Sequence, residues 1–165
     1  MWVRLSRIGG WHIQTRHDES IAQCQKTLDI DPHYCDAMWF MALAQEQKGL
    51  RSLSIANFEQ AVSLCGGPLF LALLSRAYAL SGERSKALEI LNRLEALSKE
   101  TYVSPFDIAV IHIGVGDLTS AFERLEEAYR QRVFRLVELT MPMFDNLRPD
   151  PRCKNLVRRI GLLLN

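Results

Sequence analysis

Cysteines, histidines, one Gly-x-Gly turn and a cluster of arginines are the parts of this sequence whose types could carry chemistry. Cys24, Cys35, Cys65 and Cys153 are widely separated, with no Cys-x-x-Cys pair among them. A zinc site or a redox motif draws on close pairs, so this spacing predicts small buried residues in a reducing compartment. His12, His17, His33 and His112 share no metal-like spacing. His112 falls in a core position of the pattern described below and has no adjoining acid or cysteine, which predicts a packing role. Gly114-Val115-Gly116 lacks the preceding strand that a dinucleotide site needs. The acidic pairs Asp18-Glu19 and Glu126-Glu127 read as solvated helix surface. No nucleophile–base pair, metal ligand set or phosphate loop can be assembled, so we expect no enzyme, no cofactor and no metal.

The strongest local charge lies near the C-terminus. From Arg130 to Ile160 there are eight cations and three anions, a net of +5. Such a surface could meet an acidic partner or a phosphate backbone. Phe134 and Phe144 are its only aromatics, too few for a base-stacking platform. Cations at the end of a terminal helix also complement its dipole, and a solvated cap is the preferred reading there. Over the whole chain 20 Lys and Arg balance 19 Asp and Glu, so no global field favours nucleic acid or an anionic membrane. An apolar fraction of 48% with 24% charged residues fits one folded domain spanning residues 1–165.

These residues must be positioned by helices, because no run alternates apolar and polar residues between turns. Gly49, Gly82 and Gly116 lie 33 and 34 residues apart, each between two apolar helical stretches. A period near 34 marks helix–turn–helix repeats that stack. Seven residues before each glycine stands a small residue: Ala42, Ser75 and Ala109. Five after it stand Ser54, Ala87 and Ala121, nine after it Phe58, Leu91 and Leu125, and twelve after it Ala61, Leu94 and Ala128. Small residues let two helices cross closely while large ones fill the space beside the crossing. The glycine suits the left-handed residue that ends the first helix of each pair.

One period earlier, Ser20, Cys24, Thr27 and Pro32 occupy the same columns. The segment from Asp18 to Pro32, with its Asp-Pro ending, resembles the second helix of a tetratricopeptide repeat, and the resemblance covers about residues 17–132. It departs at Met38, Leu71 and Pro105, where the family places a bulky or aromatic residue, and the closing proline is kept only at Pro32. The resemblance implies an all-α superhelical solenoid of about three and a half repeats with a C-terminal capping helix. Its repeats would run over 1–34 in degenerate form, 35–67, 68–101 and 102–135, with the cap over 136–165. The first helix of repeat one, Trp2 to Gln14, contains Gly9-Gly10 and reads as an irregular cap. Ser104-Pro105-Phe106-Asp107 reads as an N-cap with a first-turn proline, and Gly66-Gly67-Pro68 as the matching separator. Asp150-Pro151 should start the last helix, with Cys153, Val157 and Ile160 on one stripe and Gly161 ending it. Tyr102 to Ala109 and Phe144 to Arg152 are similar to the repeat arrays at the C-termini of bacterial regulatory proteins, which implies a signalling or assembly context.

In stacked helix pairs the first helix of each repeat lines the concave side. Its outward residues are Asp36, Trp39, Leu43 and Glu46, then Leu69, Ala72 and Arg76, then Phe106, Val110 and Ile113. We expect this face to bind a protein or peptide partner, with Trp39 and Phe106 as anchors and Arg76 as the orienting charge. Alternatively, helix neighbours or the C-terminal segment folding back cover the same residues. Family members that grip acidic chaperone tails use Lys, Asn and Arg on this face. Trp39, Leu43 and Ala72 replace them here, which argues against that clamp. Self-association through the face is a further use of it, and nucleic acid is the alternative partner for the basic end. Pro68 to Leu80, the longest nearly apolar stretch, falls short of the ~20 residues of a membrane helix. The N-terminus has no apolar run long enough for a signal peptide, so we expect a cytoplasmic protein with no membrane partner.

Overall fold

A computed structural model describes residues 17–162. Among these residues all regular structure is helical: α1 (His17–Ile30), α2 (Cys35–Gln47), α3 (Arg51–Cys65), α4 (Gly67–Leu80), α5 (Arg84–Leu97), α6 (Pro105–Val115) and α7 (Leu118–Arg130). Two 3-10 stretches follow, η1 (Phe134–Thr140) and η2 (Pro142–Leu147), and then α8 (Pro151–Arg159). The proposed helix Trp2 to Gln14 lies outside the described residues.

The three turns predicted from the glycine period are built alike. Gly49, Gly82 and Gly116 have φ of 75°, 91° and 82°, the left-handed region where a side chain would be strained. In each turn the next residue (Leu50, Glu83 or Asp117) donates its N–H to the carbonyl five residues back (Gln45, Tyr78 or His112) at 2.9 Å. That bond satisfies a carbonyl left open at the end of α2, α4 and α6 and reverses the chain into the next helix. The end of α7 repeats it from Val133 to Ala128 at 2.9 Å, with Arg132 at φ 54° in the glycine's place.

The small-residue columns mark where helices cross. Ala42, Ser75, Ala109, Ser54, Ala87 and Ala121 are all at most 1% exposed. The Ser75 hydroxyl donates to the Ala87 carbonyl at 2.9 Å, so two columns meet directly between α4 and α5. The large residues beside them, Phe58, Leu91 and Leu125, are buried as expected. Gly114 carries a crossing of its own: a Cβ there would stand 2.9 Å from the Cα of Arg76, so α4 and α6 pack backbone to backbone. Both glycines of the Gly-x-Gly therefore have structural work, Gly116 in a turn and Gly114 in a helix contact.

Helix starts follow local chemistry. The Ser104 hydroxyl accepts from the Phe106 N–H at 3.3 Å, with Pro105 opening α6. Asp117 accepts from the Ser120 N–H at 3.1 Å, and Asp150 accepts from the Arg152 N–H at 2.8 Å. Each cap satisfies a donor at the start of its helix. The Ser120 side chain beside Asp117 and the Arg152 guanidinium beside Asp150, with these backbone bonds, hold both carboxyls below the usual range. On α8, Cys153, Leu156 and Val157 are buried, and Gly161 turns the chain at φ 79°.

One continuous core runs from Ala42 to Val157. A separate, smaller cluster of Cys24 and Met41, with Ile21, Leu28 and Phe40 against it, lies between α1 and α2. The two 3-10 stretches carry Leu139, Phe144 and Leu147, all fully buried in the core. One expectation needs correction. The cysteines are not all thiols: Cys35 and Cys65 form a disulfide, with Cα atoms 6.5 Å apart, while Cys24 and Cys153 are free and buried. The pair is invisible as a motif because 30 residues separate its members. Cys35 opens α2 and Cys65 ends α3, and the packing of these two helices around the turn at Gly49 brings those ends together. Among the described residues, no helix is long and apolar enough to cross a membrane.

Candidate docking face

Relative to the turn glycines, Trp39, Ala72 and Phe106 hold one column, ten residues before Gly49, Gly82 and Gly116. Leu43, Arg76 and Val110 hold the column four residues later. The structure treats the two ends of this surface differently.

At the C-terminal end the chain covers itself. Phe106 is 0% exposed and meets Phe144 of η2 edge to face, ring centroids 5.8 Å apart. The Arg135 guanidinium lies 4.9 Å from the centre of the same ring. Arg135 donates to Asp107 and also to both oxygens of Glu138, at 2.7 and 2.9 Å. Asp107 is buried, and burial pushes its carboxyl above the ordinary range against the pull of Arg135. This cluster fastens η1 to the first turn of α6. Val110 and Ile113 are buried in the same region.

In the middle, Arg76 is committed. It is 5% exposed, and its guanidinium donates to both carboxylate oxygens of Glu46 at 2.7 and 2.6 Å and to the Met143 carbonyl at 3.1 Å. One side chain of α4 thus ties α2 to η2. The expected orienting charge is spent inside the protein, where an ion pair stripped of water has no donor to offer a ligand. Glu46, its side chain 9% exposed, is its counter-ion.

At the N-terminal end nothing of the described chain caps the column. Trp39 is half-buried and stacks on Phe40, with ring centroids 4.8 Å apart and an interplanar angle of 13°. Its indole N–H is buried and has no acceptor among the described residues; a buried donor left unpaired costs about 1–3 kcal/mol. Asp36, three residues before it, is exposed, with the Tyr34 hydroxyl 3.4 Å from its carboxylate. Leu69 is half-buried. Contacts of α2 with α4 are few, whereas α4 packs closely along α6.

Of the ten residues expected to bind a partner, six are therefore buried and unavailable: Leu43, Ala72, Arg76, Phe106, Val110 and Ile113. Phe106 is a core residue, not an anchor. Asp36 is exposed and Trp39 and Leu69 are partly exposed, whereas the Glu46 carboxylate is held by Arg76. The C-terminal segment folds back over the C-terminal end of the face and reaches its middle at Arg76 through the Met143 carbonyl.

The other candidates resolve as packing. His112 is buried with its Nδ1 3.5 Å from the Asp117 carboxylate. Among the described residues, no three His, Cys, Asp or Glu side chains converge as a metal ion requires. Several cations of the basic end are held within the chain: Arg148 by Asp145 at 2.7 Å, Arg152 by Asp150 at 2.8 Å and Arg159 by Glu126 at 2.7 Å. Arg152 and Arg159 also lie 4.1 Å over the rings of Phe122 and Tyr129. Sequence reasoning missed Arg135, Glu138 and Phe144 as builders of this surface; the unusual apolar content of the segment from Phe134 to Leu147 was the available signal. No protein-family model and no curated protein matches the sequence.

Proposed function

We propose that the chain is a tetratricopeptide-type helical solenoid that acts as a protein-interaction module, docking a helix or an extended peptide of a cytoplasmic partner at the N-terminal end of its concave face. The repeat assignment is supported by three glycine turns closed by the same hydrogen bond and by small-residue columns buried at every crossing. The single observation that carries the docking site is the contrast within one column: Phe106 is covered by Phe144, while Trp39 is left half-exposed. A partly exposed aromatic residue, with the exposed carboxylate of Asp36 one turn away, suits an apolar anchor flanked by a cation on the partner. A role in bacterial signalling or complex assembly follows from the resemblance of the C-terminal segments to regulatory repeat arrays.

The alternative of nucleic-acid binding through the basic end has less to work with, since Arg135, Arg148, Arg152 and Arg159 are held by carboxylates of the same chain. The test is capture from native extract by the wild type, by Trp39→Ala and by Leu88→Ala, an exposed leucine far along the sequence on α5. A protein retained by the wild type and by Leu88→Ala but lost with Trp39→Ala supports the site. Equal retention by all three variants places the site elsewhere, and binding that falls steeply with salt and is lost on reversing Arg158 favours the alternative.

A further inference from the structure

The Cys35–Cys65 bond joins the first residue of α2 to the last residue of α3, at the end of that helix pair opposite the turn at Gly49. The two sulfurs differ in setting. Cys35 is buried, whereas Cys65 is exposed and is followed by Gly66 and Gly67, both in positive-φ conformations. We propose that this bond is a reversible thiol–disulfide switch that sets how firmly the first turns of α2, and with them Trp39, are held against α3.

The chemistry runs through Cys65, the exposed residue of the pair. The thiolate of a small monothiol of the glutathione class attacks Cys65 Sγ; the S–S bond breaks and its electron pair goes to the Cys35 sulfur, which takes up a proton. A second thiolate attacks the small-molecule sulfur of the mixed disulfide, and the Cys65 thiolate leaves and is protonated. The protein gains two electrons and two protons, and two monothiols become one small-molecule disulfide; oxidation by that disulfide is the reverse. Cys35 opens a helix, where the backbone dipole favours a departing thiolate. The carbonyls of His33 and Ala61 lie 3.6 and 4.0 Å from its sulfur, so the thiol that forms finds acceptors already in place. Burial sets the other two cysteines apart: it pushes the Cys24 thiol up to about 11 and raises that of Cys153.

Two features make the consequence local. Among the described residues, the apolar cluster between α1 and α2 is small and separate from the main core, with Cys24 and Met41 its well-buried members, so the disulfide ties the start of α2 to α3 in a part of the molecule that the main core does not reach. Trp39 stands four residues after Cys35, on the same side of the helix. Any effect on a partner rests on the docking reading above; the switch itself does not.

The test uses the full chain, with no partner, in oxidised and reduced glutathione buffers, followed by peptide mapping and amide hydrogen exchange. We expect a linked Cys35–Cys65 peptide in the oxidised buffer, with Cys24 and Cys153 still thiols. Reduction should raise exchange over residues 35–40 by about tenfold and leave residues 105–130 unchanged. Cys65→Ser should show the reduced behaviour in both buffers. The proposal is overturned if no buffer yields the linked peptide, if exchange is the same in both states, or if it rises evenly over the whole chain. Because no partner is present, failure here leaves the docking site standing, and failure of Trp39→Ala to lose a partner leaves the switch standing.

Discussion

The two ends of the α2–α4–α6 face began from equivalent positions and were finished differently. Phe106 at one end is sealed by Phe144, fastened by Arg135 and fully buried; Trp39 at the other is only partly buried and has an indole N–H without an acceptor among the described residues. Where α4 and α6 meet at Gly114, backbones touch and nothing can enter. Between α2 and α4 the helices are joined mainly by the Arg76–Glu46 pair. A repeated pattern thus supplies equal sites, and what the chain lays over them decides which are structure and which are surface.

The contrast can be broken most severely at a crossing. Ala121→Arg puts a long cation where exposure is 0% and should cost more than about 4 kcal/mol, seen as loss of the cooperative melt by circular dichroism. Phe144→Ala removes the seal over Phe106 and should cost about 3–5 kcal/mol in urea unfolding. A comparable loss, about 3–5 kcal/mol, is expected for Arg76→Ala, because Glu46 then keeps a partly buried charge with no partner. Replacing both residues together with apolar ones of similar size should restore most of it. Under oxidising conditions Cys65→Ser should lower stability by about 2–4 kcal/mol through the lost closure of a loop of 30 residues. The same substitution should have no such effect in the reduced protein. Trp39→Ala should be the mildest, about 1–2 kcal/mol, since the residue is only partly buried at the edge of the core. If Trp39→Ala proves as costly as Phe144→Ala, Trp39 is a core residue and the contrast fails.

Much of the framework was readable from the sequence, and the reason is periodicity. Gly49, Gly82 and Gly116 recur because each turn demands the same left-handed residue, and the small residues recur because each crossing demands the same closeness. The caps at Ser104 and Asp150 were readable because they act within a few residues of themselves. What escaped was non-local and used once. Cys35 and Cys65 are joined across two helices, Arg76 turns inward to Glu46 and Met143, and Asp107 serves Arg135 instead of only the start of its own helix. The η1–η2 segment has no period to betray it, so its place over Phe106 could be named only as one of two arrangements. Of the six expected docking residues that are buried, Phe106 lies under Phe144 of that segment and Arg76 is held by Glu46 and the Met143 carbonyl.

Hydroxyl-radical footprinting of the full chain, with each rate divided by the intrinsic reactivity of its residue type, reads the central contrast without needing a partner. The account predicts that Trp39 is modified readily while Phe106 and Phe144 are protected by at least about tenfold. Protection of Trp39 to the level of Phe106, or labelling of Phe106 as fast as Trp39, would contradict it.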